Sequence, residues 1–217
     1  MTRRMIGPLL ASLACVAILV ALGVWQLQRL EWKRGVLAQI DARLAAPAVP
    51  MPADPDPTRD RYLRVRAEGQ ILPGEVHVYT AGPGGVGYRI VAPLALPDDR
   101  RILLDRGFVP IGDKDAGRPT GPAAVTGNLV WPDEGPGQAD RAKNIWIARD
   151  LPLMADTLGT DQVLLVAATV TGGTTPMPVS VAIPNNHLEY AVTWFGLAAA
   201  WTLMTALWLW RIKRGTD

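Results

Sequence analysis

The chain has 217 residues, 49% of them hydrophobic, with 22 basic and 20 acidic side chains and a formal charge of +2. That near balance leaves no basic footprint of the kind nucleic-acid binders carry, and a single cysteine excludes an intramolecular disulfide. The length would suit one ordinary soluble domain, but the apolar residues concentrate at the two ends, which points to a membrane protein.

In chain order, residues 1–4 form a short tail carrying Arg3 and Arg4, and residues 5–27 follow without a charge. These 23 residues read as a first transmembrane helix. A secretory signal is the alternative, since Ala21-Leu22-Gly23 loosely resembles a small-residue cleavage site. The apolar run is longer than the usual signal core of about 7–15 residues. It also continues helically through residues 28–44, where Leu30, Val36, Leu37, Ile40 and Leu44 alternate with charged residues, so a retained anchor with an extension is expected. Cys15, inside this span, reads as a small buried apolar residue.

Residues 45–60 hold Pro47, Pro50, Pro52, Pro55 and Pro57 and read as an extended linker. Residues 61–186 read as a β-rich domain, a barrel or sandwich of short strands at 62–72, 75–80, 88–96, 101–109, 123–130 and 163–170. One short helix is expected at 150–158, with Asp150 as N-cap and Gly159 as its stop. Residues 187–210 read as the second transmembrane helix. From Tyr190 to Trp210 there are 21 residues without a charge, roughly 31 Å of helix against a bilayer core of about 30 Å. Trp25, Trp32, Trp194, Trp208 and Trp210 fall near the ends of the two spans, where headgroups would lie, and Trp201 falls mid-span. Gly7 with Ala11 and Gly196 with Ala200 are small-residue pairs that would permit close helix approach. Residues 211–217 form a second basic tail. Both tails are expected in the cytoplasm by the positive-inside bias, although Arg29, Lys33 and Arg34 run against it. The fold expected is a membrane protein in which two transmembrane helices flank a mainly β (α+β) extracytoplasmic domain.

Few constellations could carry chemistry. Two histidines and one cysteine form no zinc or copper spacing, and no nucleophile motif surrounds the two serines, Ser12 and Ser180. The run Gly82-Pro83-Gly84-Gly85-Val86-Gly87 reads as a flexible, hairpin-like connection, since no helix follows it to complete a phosphate site. His77 reads as a strand-surface histidine. His187 opens the second span, with Asn186 as N-cap and Glu189 at the third helical position, which resembles a capping box. It is either an interfacial histidine that anchors the helix or an iron ligand. The helix N-terminus disfavours the imidazolium, and the neutral ring is the ligating form.

Five blocks in order resemble the Surfeit-locus family of cytochrome c oxidase assembly factors: residues 25–33 (WQLQRLEWK), 87–93 (GYRIVAP), 104–110 (LDRGFVP), 144–151 (NIWIARDL) and 185–195 (NNHLEYAVTWF). Asp105 and Phe108 depart from the asparagine and tryptophan usual there. The resemblance implies an assembly factor for haem–copper oxidase, not an enzyme, that binds haem a transiently and assists its insertion into subunit I. It implies His187 as axial ligand of the haem iron, with Tyr190 and Trp194 beside it. Arg106 and Gly107 would shape a strand end, and Trp146 would fill the core. Subunit I, membrane lipid and a haem a synthase are the partners implied, and no nucleic acid. The place implied is the bacterial inner membrane, multi-pass, with both termini cytoplasmic and the main domain periplasmic. The alternative is a scaffold that stabilises an oxidase assembly intermediate without binding haem.

Overall fold

The computed structural model describes residues 3–135, 137–169, 172–181 and 184–214. In chain order the elements are α1 (Arg3–Ala45), β1 (Val49–Pro50), β2 (Arg64–Ile71), β3 (Val76–Gly82), β4 (Gly85–Ala95) and β5 (Arg101–Pro110). A 3-10 turn (Ile111–Asp113) precedes β6 (Gly121–Val130), β7 (Ala139–Asp140), β8 (Ile145–Trp146), α2 (Leu151–Leu158), β9 (Leu164–Ala167) and α3 (His187–Arg214). The chain divides into two compact units, Met1–Gln39 with Val181–Asp217, and Ile40–Ser180.

The first unit is helical. α1 and α3 are each long and apolar enough to cross a membrane. Large apolar side chains on them, such as Leu10, Ile18, Val192 and Leu203, are more than half exposed. A helix whose outer surface is apolar needs an apolar surrounding or a partner to cover it.

The second unit is a sheet that closes on itself. Its strands run β1-β2-β6-β9-β5-β4-β3-β8-β7, and β2 also pairs with β4 through Gln70 with Ala95 and Ile71 with Leu94. That pairing joins β2, β6, β9, β5 and β4 into a small barrel. Val65, Ala67, Leu94, Ile102, Leu104, Val125 and Leu165 belong to one buried cluster, at positions that recur every second residue along each strand. The intervening residues Val91, Leu103, Leu164 and Val166 point the other way. They pack with Val76, Val78, Trp146 and the Leu151, Met154 and Ala155 face of α2. Because both faces of β5 are covered, its residues Ile102 to Val109 are buried without interruption. Trp146 fills the second core at 2% exposure, and its Nε1 donates to Asn144 Oδ1 at 3.2 Å.

Several local expectations hold, and others are corrected. Asp150 caps α2, its side chain accepting from Leu153 N, and Gly159 ends the helix in a left-handed conformation. The glycine-rich connection is shorter than the sequence suggests. Gly82 closes β3 and pairs with Gly85 in β4, which leaves only Pro83-Gly84 as the turn. A Cβ at Gly82 or Gly87 would fall on the buried ring of Phe108, so these positions are bare because an aromatic ring lies across them. The proline-rich stretch is tied into the sheet rather than extended freely: Val49 and Pro50 pair in parallel with β2, and Met51 packs on the barrel core. The strand expected over 163–170 is seen as β9, and its Val170 end lies outside the described residues. β1, β7 and β8, two residues each, were too short to show in any periodicity.

Arg106 and Gly107 do not form a strand end. They sit inside β5 at a β-bulge, where Ile90 pairs with Gly107 and Val91 with Asp105, leaving Arg106 as the extra residue. Arg106 is 1% exposed and donates to the carbonyls of Pro119 and Gly172. Burial pulls its pKa below the ordinary arginine value, against the charge of Glu75. Asp105, fully buried, pairs with Arg89 and accepts from Gly107 N at 3.0 Å. Burial pushes its carboxyl above the usual range, against the pull of Arg89. Phe108 exchanges two backbone hydrogen bonds with Thr175, so the 172–176 strap lies directly over the bulge.

Gly107 has φ +114°, and a Cβ there would stand 2.2 Å from Thr175 O. Gly107→Ala is expected to cost roughly 3 kcal/mol and lower Tm by about 5–10 °C. Gly112→Ala, which meets nothing within 4 Å, should melt like the wild type. Thermal unfolding of the full chain in detergent, followed by circular dichroism, measures both.

Candidate functional site

α1 and α3 pack antiparallel, with residue numbers rising along one as they fall along the other at each point of contact. Near the chain's ends, Ser12 Oγ and Thr205 Oγ1 are 2.6 Å apart, and Trp201 Nε1 donates to Ser12 Oγ at 3.0 Å. Farther along, a Cβ at Gly23 would lie 2.7 Å from the Phe195 ring. Next, Gln26 Oε1 and His187 Nδ1 are 2.7 Å apart. Lys33 Nζ donates to Pro184 O, just before α3 begins. Ala191 and Ala198 are buried on the same seam. The small residues that permit the contact are therefore Gly23, Ala191 and Ala198. The pairs Gly7 with Ala11 and Gly196 with Ala200 do not, since Gly7 and Gly196 have nothing near their missing side chains. A recess of about 450 Å³ opens beside the Ser12–Thr205 contact, lined by Pro8, Cys15, Met204 and Trp208 among others.

His187 is the first residue of α3 and is half-buried. Tyr190 N donates to Asn186 O at 3.2 Å, which begins the helical ladder. Glu189 lies in the first turn, where a carboxylate suits the positive end of the helix dipole. The expected capping box does not close: among the described residues, neither the Asn186 nor the Glu189 side chain makes a hydrogen bond. What holds the start of α3 is α1, through Gln26 and Lys33. Tyr190, 55% exposed, and the half-buried Trp194 follow His187 by three and seven residues, which sets all three along one side of the helix. Gln26 carries no mark as a site residue in the sequence, and Lys33 stands out there only for its charge. The available signal was a polar amide within a stretch otherwise free of strongly polar groups, which calls for a partner.

His77 corrects its reading as a surface residue. It is 4% exposed in β3, its Nε2 lies 2.8 Å from Glu75 Oε1, and its Nδ1 is buried without a partner. Its ring centroid is 6.1 Å from that of Tyr88. Glu75 also pairs with Arg118. Burial tends to raise the Glu75 carboxyl, but the His77 hydrogen bond and the Arg118 charge outweigh it and hold it below the ordinary value. Among the described residues, no group of three or more His, Cys, Asp or Glu side chains could hold a metal ion. A recess beside β1, lined by Met51, Arg66, Glu68 and Arg100, mixes charges of both signs and converges on no one chemistry.

These features define a class: a mainly sheet unit, flanked in sequence by two helices apolar enough to cross a membrane, with one histidine where the helices meet. The sequence matches the SURF1 family model over residues 13–199. It is 31% identical to Surfeit locus protein 1 of Homo sapiens, over 90% of this chain and 74% of the human protein. It is 30% identical to the SURF1-like protein of Rickettsia felis, over 87% of this chain and 91% of that protein. The rat Surfeit locus protein 1 is 30% identical over 90% of this chain and 72% of its own length. The chain belongs to the SURF1 family.

Two expectations follow. With Cys15→Ala as background, Ser12→Cys and Thr205→Cys should join as an intramolecular disulfide, and adding Gly23→Leu should reduce the yield by wedging the helices apart; non-reducing gels read both. The lowered Glu75 pKa means its contribution to stability is complete above the ordinary glutamate value and is lost as pH falls through the folded value. Glu75→Gln should therefore flatten the fall of Tm as pH drops below the ordinary glutamate value.

Proposed function

We propose that the chain is an assembly factor for haem–copper cytochrome c oxidase, anchored in the bacterial inner membrane by α1 and α3. In this reading it is not an enzyme. It holds haem a transiently, with His187 as axial ligand and Tyr190 and Trp194 against the macrocycle, and assists its insertion into subunit I. The observation that carries the reading is the state of His187. It stands half-exposed at the N-terminus of α3, one ring nitrogen 2.7 Å from Gln26 and the other without a hydrogen-bond partner among the described residues.

The donor chemistry fits the cargo. A neutral imidazole with one unengaged nitrogen is a ligand for haem iron, and flanking aromatic rings offer apolar faces to a porphyrin. When bound, the haem supplies iron with an open coordination position, and the chain supplies the nitrogen, its orientation and an apolar flank. Family membership supports the oxidase-assembly part of the proposal. The two apolar helices support the membrane anchorage, with lipid around them, the basic tails on the cytoplasmic side and the sheet unit in the periplasm. A haem a synthase is the expected donor and subunit I the expected acceptor.

Purification of the full chain from cells that make haem a tests the proposal. The wild-type protein should carry a haem a absorption spectrum that is absent when haem a synthesis is removed and lost or strongly altered in His187→Ala. A haem-free wild-type protein that is nevertheless required for oxidase assembly would replace the carrier with a scaffold.

A further inference from the structure

We infer that Gln26 is a positioning residue for His187: its side-chain carbonyl takes the Nδ1 proton, fixes the tautomer and rotation of the ring, and leaves Nε2 as the one lone pair for iron. The inference rests on the reading of His187 as a haem ligand and adds a residue from the other helix to that site.

The assignment rests on one contact. Oε1 of an amide can only accept, so a 2.7 Å contact with it makes Nδ1 the donor. A neutral imidazole has a single ring proton, and placing it on Nδ1 strips it from Nε2. Gln26 is half-buried in the charge-free part of α1, where an unpartnered amide would be costly, and His187 is its only side-chain partner among the described residues. The contact is braced on both sides. Three residues before Gln26, Gly23 meets the Phe195 ring, and seven residues after it, Lys33 donates to Pro184 O. Neither partner can drift along its helix without breaking those contacts.

The choice of an amide has a chemical consequence. A carboxylate behind a ligating histidine raises its basicity and tightens the metal bond. A neutral carbonyl orients the ring with a weaker push, which suits a ligand that must later release its iron.

The test begins with the haem-free full chain in detergent, ring nitrogens of histidine labelled with 15N, and the His187 signals assigned by their absence in His187→Ala. The expected result is a protonated Nδ1 and an unprotonated Nε2. Gln26→Leu should move the tautomer ratio toward Nε2–H by about fivefold, the weight of one ordinary hydrogen bond. Gln26→Glu should keep the wild-type tautomer. In the haem-loaded protein, Gln26→Glu should lower the midpoint potential of the iron and slow haem release, while Gln26→Leu should not lower that potential. Disulfide formation between Ser12→Cys and Thr205→Cys checks that each variant keeps the helix pair. A wild-type ring already protonated at Nε2, or a tautomer unchanged in Gln26→Leu, overturns the role of Gln26 even where His187→Ala abolishes haem binding. A locked tautomer with a haem spectrum indifferent to His187→Ala overturns the haem reading instead, and the ligand-positioning role with it.

Discussion

The close approach of α1 and α3 at Gly23 is the contact on which the proposed site depends. Gly23 leaves room for the Phe195 ring, and any larger side chain would hold the two backbones apart. Gln26 lies one turn beyond that contact on α1, and His187 two turns before it on α3. Their hydrogen bond forms because the glycine has already fixed the spacing. For helices surrounded by lipid there is no hydrophobic gain in pairing, so the association must come from close packing and from hydrogen bonds between side chains. The pair has both: a glycine against an aromatic ring, and hydroxyl, indole and amide groups that find partners across the seam.

The sheet unit solves a different problem, burying two apolar faces of one sheet at once. The barrel closes around one set of side chains, and α2, β3 and β8 cover the alternate set. The charged residues inside this unit serve its architecture. Arg106 is turned onto backbone carbonyls, and Asp105 is matched by Arg89 and by the amide of Gly107. Three of the sequence blocks that mark the family, 87–93, 104–110 and 144–151, thus fall on the strands and helix start that build the barrel and its second core. The remaining two, 25–33 and 185–195, fall on α1 and at the start of α3, where the helices meet.

Where the sequence was legible, a local rule governed the outcome. Charge-free runs marked the parts of α1 and α3 that form the helix pair, short β-prone stretches between turn residues marked the longer strands, and an aspartate and a glycine bracketed α2. What stayed hidden depends on distant partners. His77 reads as a surface residue until Glu75 and Tyr88 are seen around it. Gly82 and Gly87 read as a loop until Phe108 lies across them. Arg106 reads as a strand end because a bulge is a relation between two strands, and neither carries its mark alone. The same holds for the site: His187 stood out as a histidine opening an apolar helix, whereas Gln26, 161 positions earlier in the chain, acquires meaning only from the packing that brings it there.

The ends of the sheet carry one more consequence. Among the described residues, closure of β2 onto β4 leaves β1 and β7 as the outer strands of the ladder, and each is two residues long. An unpaired strand edge is a template on which a second chain can add itself, and its hazard grows with its length and flatness. Here the outermost strand at each end is only two residues long, and one of them carries Pro50, which has no amide proton to offer. At either end of the ladder, a second copy would meet a strand that stops after two residues.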